Sequence, residues 1–413
     1  MKIQNQRESA AAFFWNMVGS ACYSLSSILS LMMVTRICGA EEAGFFSLAY
    51  ATAQLLLTVG RYGMRTYQAT DLRSQYSFCE YAVSRVITVA LMLLLGAVYS
   101  AVSFAGRTVA VSMLVIAMKA LDAVEDVYHG RLQQTYHVEQ MGKSQAIRNA
   151  YTAVCFMATL LWRRELLAAL EITVFSSMVL CLAVNEGYVR RYAPALAQER
   201  RLRPRAVGQL LVGCTGIFVG TFLSLLLYNI PKYAMAGVLS AEYQTYYSIL
   251  FMPSFVVTLL CEFVFKPTIT TIAGHWMEGR FQRFTRSVMT CLAVIAGCGV
   301  CVVLGGHLIG RRLLELLYGV DLSAYWLHFI VLLIGGGIGA GVYMLYNILI
   351  AIRHGGCIKI VYGVVAAVSI AVVRPMIVQW GMMGAALNYL LSCSLLLLCF
   401  GAILLAICRR EPA

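Results

Sequence analysis

The sequence predicts an all-α polytopic membrane protein of about twelve transmembrane helices, on three observations. Of 413 residues, 60% are hydrophobic and only 12% are charged. A soluble domain carries roughly 45–50% apolar and about 25% charged residues. The mean hydropathy is +0.76, and the apolar residues come in runs long enough to cross a bilayer. At roughly 20 residues per crossing, with short loops, the length accommodates about a dozen helices. Seven prolines and no long polar stretch leave no room for a soluble domain. A soluble enzyme, a disordered chain and a fibrous repeat are thereby excluded.

The expected segments are 12–35, 43–61, 82–105, 108–127, 145–162, 166–188, 207–230, 243–265, 287–309, 324–351, 357–374 and 381–408. The first follows a basic start, MKIQNQRESAAAFFWNM. It is too long for a signal-peptide core and lacks a small-residue cleavage site, so it reads as a permanent helix. Basic residues then test the alternation, because Lys and Arg collect in cytoplasmic loops. With the N-terminus inside, 23 Lys and Arg fall on the cytoplasmic side, 8 fall outside and Lys119 lies within a helix. Both termini are therefore expected in the cytoplasm. The net charge of +13 reads as this topology signal rather than as nucleic-acid binding, since no basic soluble module exists.

The most basic connection, YVRRYAPALAQERRLRPRA (188–206), divides the chain into an N-terminal six-helix lobe over 1–190, a cytoplasmic loop over 191–206 and a C-terminal six-helix lobe over 207–413. Such halves are the mark of a duplicated transporter, and an even number of helices per half makes the repeats parallel. A weak echo supports duplication. Residues 31–51 and 227–250 both run from a helix through a basic residue, small residues and an acid to aromatics that open the next helix.

No catalytic constellation is present. The six histidines are scattered, and HExxH, GxSxG and Walker A patterns do not occur. The 14 cysteines lie mostly in apolar runs, where a thiol behaves as a small hydrophobe. Cys298 and Cys301 alone have CxxC spacing, with no partner ligands nearby. GGGIGAG (335–341) has no strand before it and reads as a helix surface for close packing. Neither a metal nor another cofactor is expected.

The informative residues are polar groups at membrane depth, which are costly and usually face a cavity or each other. Lys119, Asp122 and Asp126 share one helix face at i, i+3 and i+7. Lys119 is expected about two turns from the cytoplasmic end, either snorkelling beside Asp122 or lining a cavity. Arg61 and Arg65, four apart and followed by Asp71, are topology charges or the rim of an inward-facing vestibule for an anionic headgroup. Arg85 could join them. Arginine suits phosphate because its guanidinium fork binds oxyanions in a bidentate manner. Glu262 is the deepest acid of the second half, with Lys266 four residues on. Pro231 and Gly237 are expected to break the seventh helix around Lys232.

The stretch WNMVGSACYSLSSILSLMMVTRICGAEEAGFFSLAYATAQ (15–54) resembles the first two helices of polysaccharide and O-antigen flippases, within the multidrug/oligosaccharidyl-lipid/polysaccharide exporter superfamily. The resemblance continues through GRYGMRTYQATD (60–71), residues 229–256, FVFKPTITTIAGHW (263–276) and LLYGVDLSAY (316–325), and it is nearest to a Gram-positive branch. The chain departs from that branch at TYHVEQMGK (135–143) and IAIRHGGCIK (350–359). The resemblance implies a two-lobed, V-shaped, non-enzymatic transporter. It would move undecaprenyl-pyrophosphate-linked oligosaccharides across the cytoplasmic membrane by alternating access, alongside membrane lipid and with a polymerase and glycosyltransferases of the same pathway. In that setting Arg61, Arg65, Arg85, Lys119, Lys232 and Arg374 are the candidate substrate cations. Asp71, Asp122, Asp126 and Glu262 are candidate coupling or pairing acids. Ion-coupled export of small cationic drugs is the alternative, and a membrane polysaccharide polymerase or ligase a more distant one.

Overall fold

A computed structural model describes residues 2–71, 74–194, 202–352 and 354–410, with the side chains of 2–10, 255–267, 270 and 410 outside the description. The described residues are helical almost throughout and form no strand. In order the helices are α1 (Lys2–Cys38), α2 (Ala40–Arg61), α3 (Met64–Thr70), α4 (Phe78–Ser103), α5 (Arg107–Gln134), α6 (Val138–Arg163) and α7 (Leu166–Tyr192). They continue as α8 (Pro204–Ala236), α9 (Ala241–Met277), α10 (Phe281–Gly305), α11 (Arg311–Tyr318), α12 (Trp326–Ala351), α13 (Ile358–Trp380) and α14 (Met382–Arg410). α10 runs into α11 through a wider π turn, Gly306–Gly310. Counting α10 to α11 as one rod and setting aside short α3, the described residues form the expected twelve long helices.

Nine helices are, among the described residues, long and apolar enough to cross a membrane. α5 and α6 match them in length, but their charged and polar side chains lower their hydropathy. Those side chains are largely buried against other helices, which is how a bilayer protein accommodates them.

Two expectations about helix ends are corrected. α8 continues through Pro231 to Ala236 instead of breaking there. Membrane helices tolerate proline because neighbouring groups can satisfy the freed carbonyl. The segment after α2 holds a further short helix, α3, set off by Tyr62 and Gly63 at φ 50° and 68°. Gly63 packs its α-carbon against Ile217 of α8, where a Cβ would lie 2.7 Å from the Ile217 side chain. The turn between α13 and α14 is Gly381 alone, at φ 56° and ψ −136°, a conformation open essentially to glycine.

The chain divides into two compact units, 1–222 and 223–413, with the boundary inside α8. Within the first, α5 is the hub and packs on α2, α3, α4, α6 and α7, while α1 runs along α6. Within the second, α12 is the hub and packs on α9, α10 and α14, and α13 pairs with α14. Matching the six long helices of each unit in order, α5 corresponds to α12. The pairs α2–α5, α4–α5, α5–α7 and α6–α7 then correspond to α9–α12, α10–α12, α12–α14 and α13–α14. The weak sequence echo thus reports a repeated packing order. Each unit closes its last hairpin with a buried Ser–Asn bond: Ser144 to Asn185 at 2.8 Å, and Ser369 to Asn388 at 2.8 Å.

The start of α8 is tied to the first unit through Glu80. Ser77 and Glu80 form a reciprocal capping box at the head of α4. The same buried carboxylate accepts the Arg203 backbone N–H at 3.0 Å and its guanidinium at 2.8 Å. Around it Met64, Tyr76, Tyr81, Val127, Leu210 and Cys214 form an apolar cluster. Hydrogen bonds to a charged group contribute about 1.5–3 kcal/mol each. Part of that is lost to water at half-exposed Arg203. Glu80→Gln is therefore expected to destabilise by about 1–3 kcal/mol, read as a lower thermal midpoint in detergent, with Glu80→Ala lower still. A Glu80→Ala protein melting with wild type would show that this anchor is idle.

Candidate functional site

The first unit buries a cluster of charges along one face of α5. Lys119, Asp122, Glu125, Asp126 and His129 recur every three or four residues, so the helix stacks them in a row. α5 is longer than its sequence periodicity indicates. Lys119 lies 15 residues before its last residue, Gln134, or about 22 Å by helix rise, and not two turns from the cytoplasmic end. From mid-helix its side chain cannot reach an interface. Its ammonium instead pairs with Asp122 at 3.1 Å and sits between the rings of Tyr23 and Tyr50, 4.6 and 4.7 Å from their centroids. Each ring face attracts a desolvated cation. Tyr23 is itself held by its hydroxyl donating to Gln54 at 3.2 Å.

One turn on, Arg148 of α6 donates to both Asp122 and Glu125. Glu125 also faces His129, with Nε2 3.2 Å from its Oε1. Further along, Asp126 gathers three arginines from three helices. Arg85 of α4 donates to it at 2.8 Å, while Arg65 of α3 and Arg61 at the end of α2 approach to 3.6 and 3.8 Å. The geometry follows from how α2 ends. A helix leaves its last carbonyls without intrahelical partners. Arg85 and Thr88 both donate to the Gly60 carbonyl, Thr88 at 2.8 Å, which brings the Arg85 fork beside Asp126.

The cluster holds five permanent cations (Arg61, Arg65, Arg85, Lys119, Arg148) and three carboxylates (Asp122, Glu125, Asp126), an excess of two positive charges before His129 is counted. Among the described residues, Nε of Arg61 and of Arg85 has no hydrogen-bond partner, and neither does Oε1 of Glu125. Access is graded. The Arg61 and Arg65 side chains are 40% and 29% exposed, whereas those of Arg85, Lys119 and Arg148 are at most 5% exposed. Arg65 is steadied by Gln133 at 3.4 Å and by Met141 Sδ at 2.9 Å. An oxyanion could meet two guanidinium groups there while the inner cations stay engaged.

The structure thus brings together Arg61, Arg65, Arg85, Lys119, Asp122 and Asp126. It places the remaining candidates elsewhere. Asp71 caps the turn after α3, accepting from the backbone N–H groups of Gln75 and Tyr76 at 2.8 and 3.0 Å and from the Tyr81 hydroxyl at 3.2 Å. That is a structural role, not membership of the acid set around α5. Lys232 belongs to the second unit, with its ammonium 5.9 Å from the Phe251 ring centroid and no ion pair among the described residues. Arg374 is an exposed residue of α13. The side chains of Glu262 and Lys266 lie outside the described residues. Five participants were missed from sequence: Glu125, His129, Arg148, and Tyr23 and Tyr50 on either side of Lys119. Among the described residues, no group of three His, Cys, Asp or Glu side chains is placed to hold a metal ion. The GGGIGAG run is a packing surface on α12, with Gly335 against the Tyr389 ring and Gly336 against Ser254 of α9.

No protein-family model and no curated protein sequence matches the chain. Solved structures do. An inward-facing multidrug-resistance MATE family transporter of the MOP superfamily aligns with a TM-score of 0.71 and 11% identity, over 96% of this chain and 100% of that one. A mutant of the Vibrio cholerae MATE transporter VcmN aligns with a TM-score of 0.64 and 12% identity, over 98% of both chains. A MOP-superfamily transporter from Pyrococcus furiosus, described as having a binding pocket of reverse polarity that suggests a different function, aligns with a TM-score of 0.56 and 12% identity, over 97% of this chain and 96% of that one. With twelve long helices in two units of one packing order, this multi-pass membrane protein has the fold of the MATE and wider MOP-superfamily transporters.

Proposed function

We propose that the chain is a transporter of an anionic cargo, an oligosaccharide carried on undecaprenyl pyrophosphate, moved to the outer leaflet of a bacterial cytoplasmic membrane by alternating access. In this reading both termini are cytoplasmic, and a polymerase and glycosyltransferases act before and after it on the same cargo. The observation that carries the reading is the excess of cations over carboxylates in the α5 cluster, supplied by Arg61 and Arg65, the two members that are accessible. A pyrophosphate cannot enter about 30 Å of hydrocarbon unaided. Two guanidinium forks replace its water with charge-assisted hydrogen bonds. Arg85, Lys119 and Arg148 position the cluster and keep it cationic. The Pyrococcus furiosus neighbour, with its pocket of reverse polarity, is a precedent for changing the charge of a pocket on this fold.

The fold serves equally for the alternative, export of small cationic drugs, which is what the multidrug-resistance neighbours are named for. A cationic cluster repels such cargo, and this separates the two readings. In host cells lacking the protein, the flippase reading expects an undecaprenyl-pyrophosphate oligosaccharide to accumulate in the inner leaflet while surface polymer is lost, both reversed by the intact chain. Arg61→Gln with Arg65→Gln removes two contacts of about 1.5–3 kcal/mol each. It should lower surface polymer by at least about tenfold at unchanged membrane levels of the protein. Full restoration by the double variant would overturn the role of these arginines. An unchanged lipid pool together with new sensitivity to cationic drugs would overturn the cargo.

A further inference from the structure

The second unit carries two adjoining cavities that the cation cluster does not use. The first is a groove of about 730 Å³ between α10, α12 and α14, with an almost wholly apolar lining. Along α10 it extends from Phe284 to Leu304, about 30 Å by helix rise, which matches the hydrocarbon thickness of a bilayer. Its floor is shallow because Gly299 and Gly337 face one another, each glycine's Cβ position lying 3.6–3.8 Å from the other's α-carbon. Its walls include exposed Val300 and Leu304. An apolar groove of this kind does not hold ordered water.

The second is a polar pocket of about 360 Å³ formed by His307, Arg311, Arg312, Ser323 and Trp326, with Leu308. It begins one helical turn beyond the groove, from Leu304 to His307, where the π turn sets Gly306 and Gly310 against Leu333 and Phe329 of α12. Arg311 pairs with Glu315 at 3.5 Å, and Glu315 also accepts the Leu322 N–H at 3.1 Å. Arg312 is exposed and has no ion pair among the described residues, whereas Arg311 is shared with Glu315 and lies in the field of the Asp321 carboxylate, so Arg312 is the cation of the pocket left without a counter-charge in contact. The Asp321 carboxylate is turned to the Ser323 N–H at 2.8 Å. The pocket's depth is that of the lipid headgroups. α10 is 25 residues long, or about 37 Å, so its end and the π turn rise past the hydrocarbon core. Trp326 and α11, with arginines beside exposed Leu313 and Leu316, are the residues expected at that boundary.

We infer that these cavities form one site for an anionic phospholipid of the bilayer, its phosphate at Arg311 and Arg312 and one acyl chain lying along α10 in the groove. The head and chain compartments adjoin in the order that such a lipid presents them. The inference rests on the membrane fold and not on the cation cluster of the first unit, and it is tested without transport.

The experiment is native mass spectrometry of the full chain released from nanodiscs of equal phosphatidylglycerol and phosphatidylcholine. The expected result is one retained phosphatidylglycerol per chain, with at least about fivefold preference over phosphatidylcholine. Arg311→Gln with Arg312→Gln should bring that preference to parity. Val300→Trp, which fills the groove from its exposed side, should lower retention of both lipids. Should Val300→Trp not fold, Ala296→Leu narrows the same groove. Equal retention of the two lipids by wild type, or a preference unmoved by the arginine variant, would overturn the site. Displacement of phosphatidylglycerol by millimolar inorganic phosphate as readily as by added lipid would show an anion pocket alone and overturn the lipid assignment.

Discussion

Asp126→Asn is expected to destabilise the protein strongly, by about 3–5 kcal/mol. One carboxylate faces three arginines, and the substitution raises the cluster's excess from two positive charges to three. Arg61 and Arg65 can turn to water, but Arg85 is buried at 3% exposure and cannot. Removing one partner of a buried pair costs about 3–5 kcal/mol, because the other charge stays desolvated. The companion variant separates this cause from lost packing. Arg85→Met with Asp126→Leu takes both charges out of the low dielectric, and the Gly60 carbonyl keeps its bond from Thr88. The double variant should therefore recover most of the loss, giving a strongly non-additive cycle. Thermal midpoints in detergent read all of these. Equal midpoints for Asp126→Asn and wild type would mean that the arginines are compensated by something other than Asp126.

Gly336→Leu should be equally damaging for a steric reason. A Cβ at Gly336 would lie 2.7–2.9 Å from the Cβ, Cα and carbonyl oxygen of Ser254, and the latter two are backbone that cannot rotate away. Ser254 in turn donates its hydroxyl to the Leu332 carbonyl at 2.7 Å, so separating α9 from α12 also breaks a buried hydrogen bond. Overpacking costs about 1–3 kcal/mol where the surroundings can shift, and more where they cannot. The neighbouring glycine is the control. At Gly337 a Cβ meets only the Gly299 α-carbon at 3.6 Å, an ordinary contact, so Gly337→Ala should express and melt like wild type. Alanine and leucine both favour a helix over glycine, so comparable losses at both positions would mean that the α9–α12 approach is not the source of the sensitivity.

These two sites also show what a sequence discloses. The twelve helices, their two sets of six and the packing role of the α12 glycines follow from one-dimensional patterns, because burial in lipid imposes long apolar runs and close approach imposes small residues. The charged face of α5 follows from helical spacing, which puts Lys119, Asp122 and Asp126 together. The same spacing also contains Glu125, three residues beyond Asp122, and His129, four beyond Glu125. Arg148 is different. It lies near the start of the fifth expected segment, 145–162, where it counts as a cytoplasmic topology charge, and only the packing of α6 on α5 turns it into a partner for two carboxylates. Asp71 errs in the other direction. Its place after two arginines looks like part of a charge cluster, but the turn that follows α3 takes its carboxylate for two backbone N–H groups. Which neighbour an ionised group finds depends on contacts between helices distant in sequence, and periodicity carries no record of these.

The position of Lys119 between Tyr23 of α1 and Tyr50 of α2 has a mechanical consequence. The two rings are part of what makes a cation tolerable at that depth, and each belongs to a different helix from the lysine. Any displacement of α1 along or away from α5 withdraws one ring and leaves Asp122 as the main remaining counterpart. Helix movement and the unveiling of charge are then a single event, and the stiffness of this part of the protein is set by electrostatics as much as by packing.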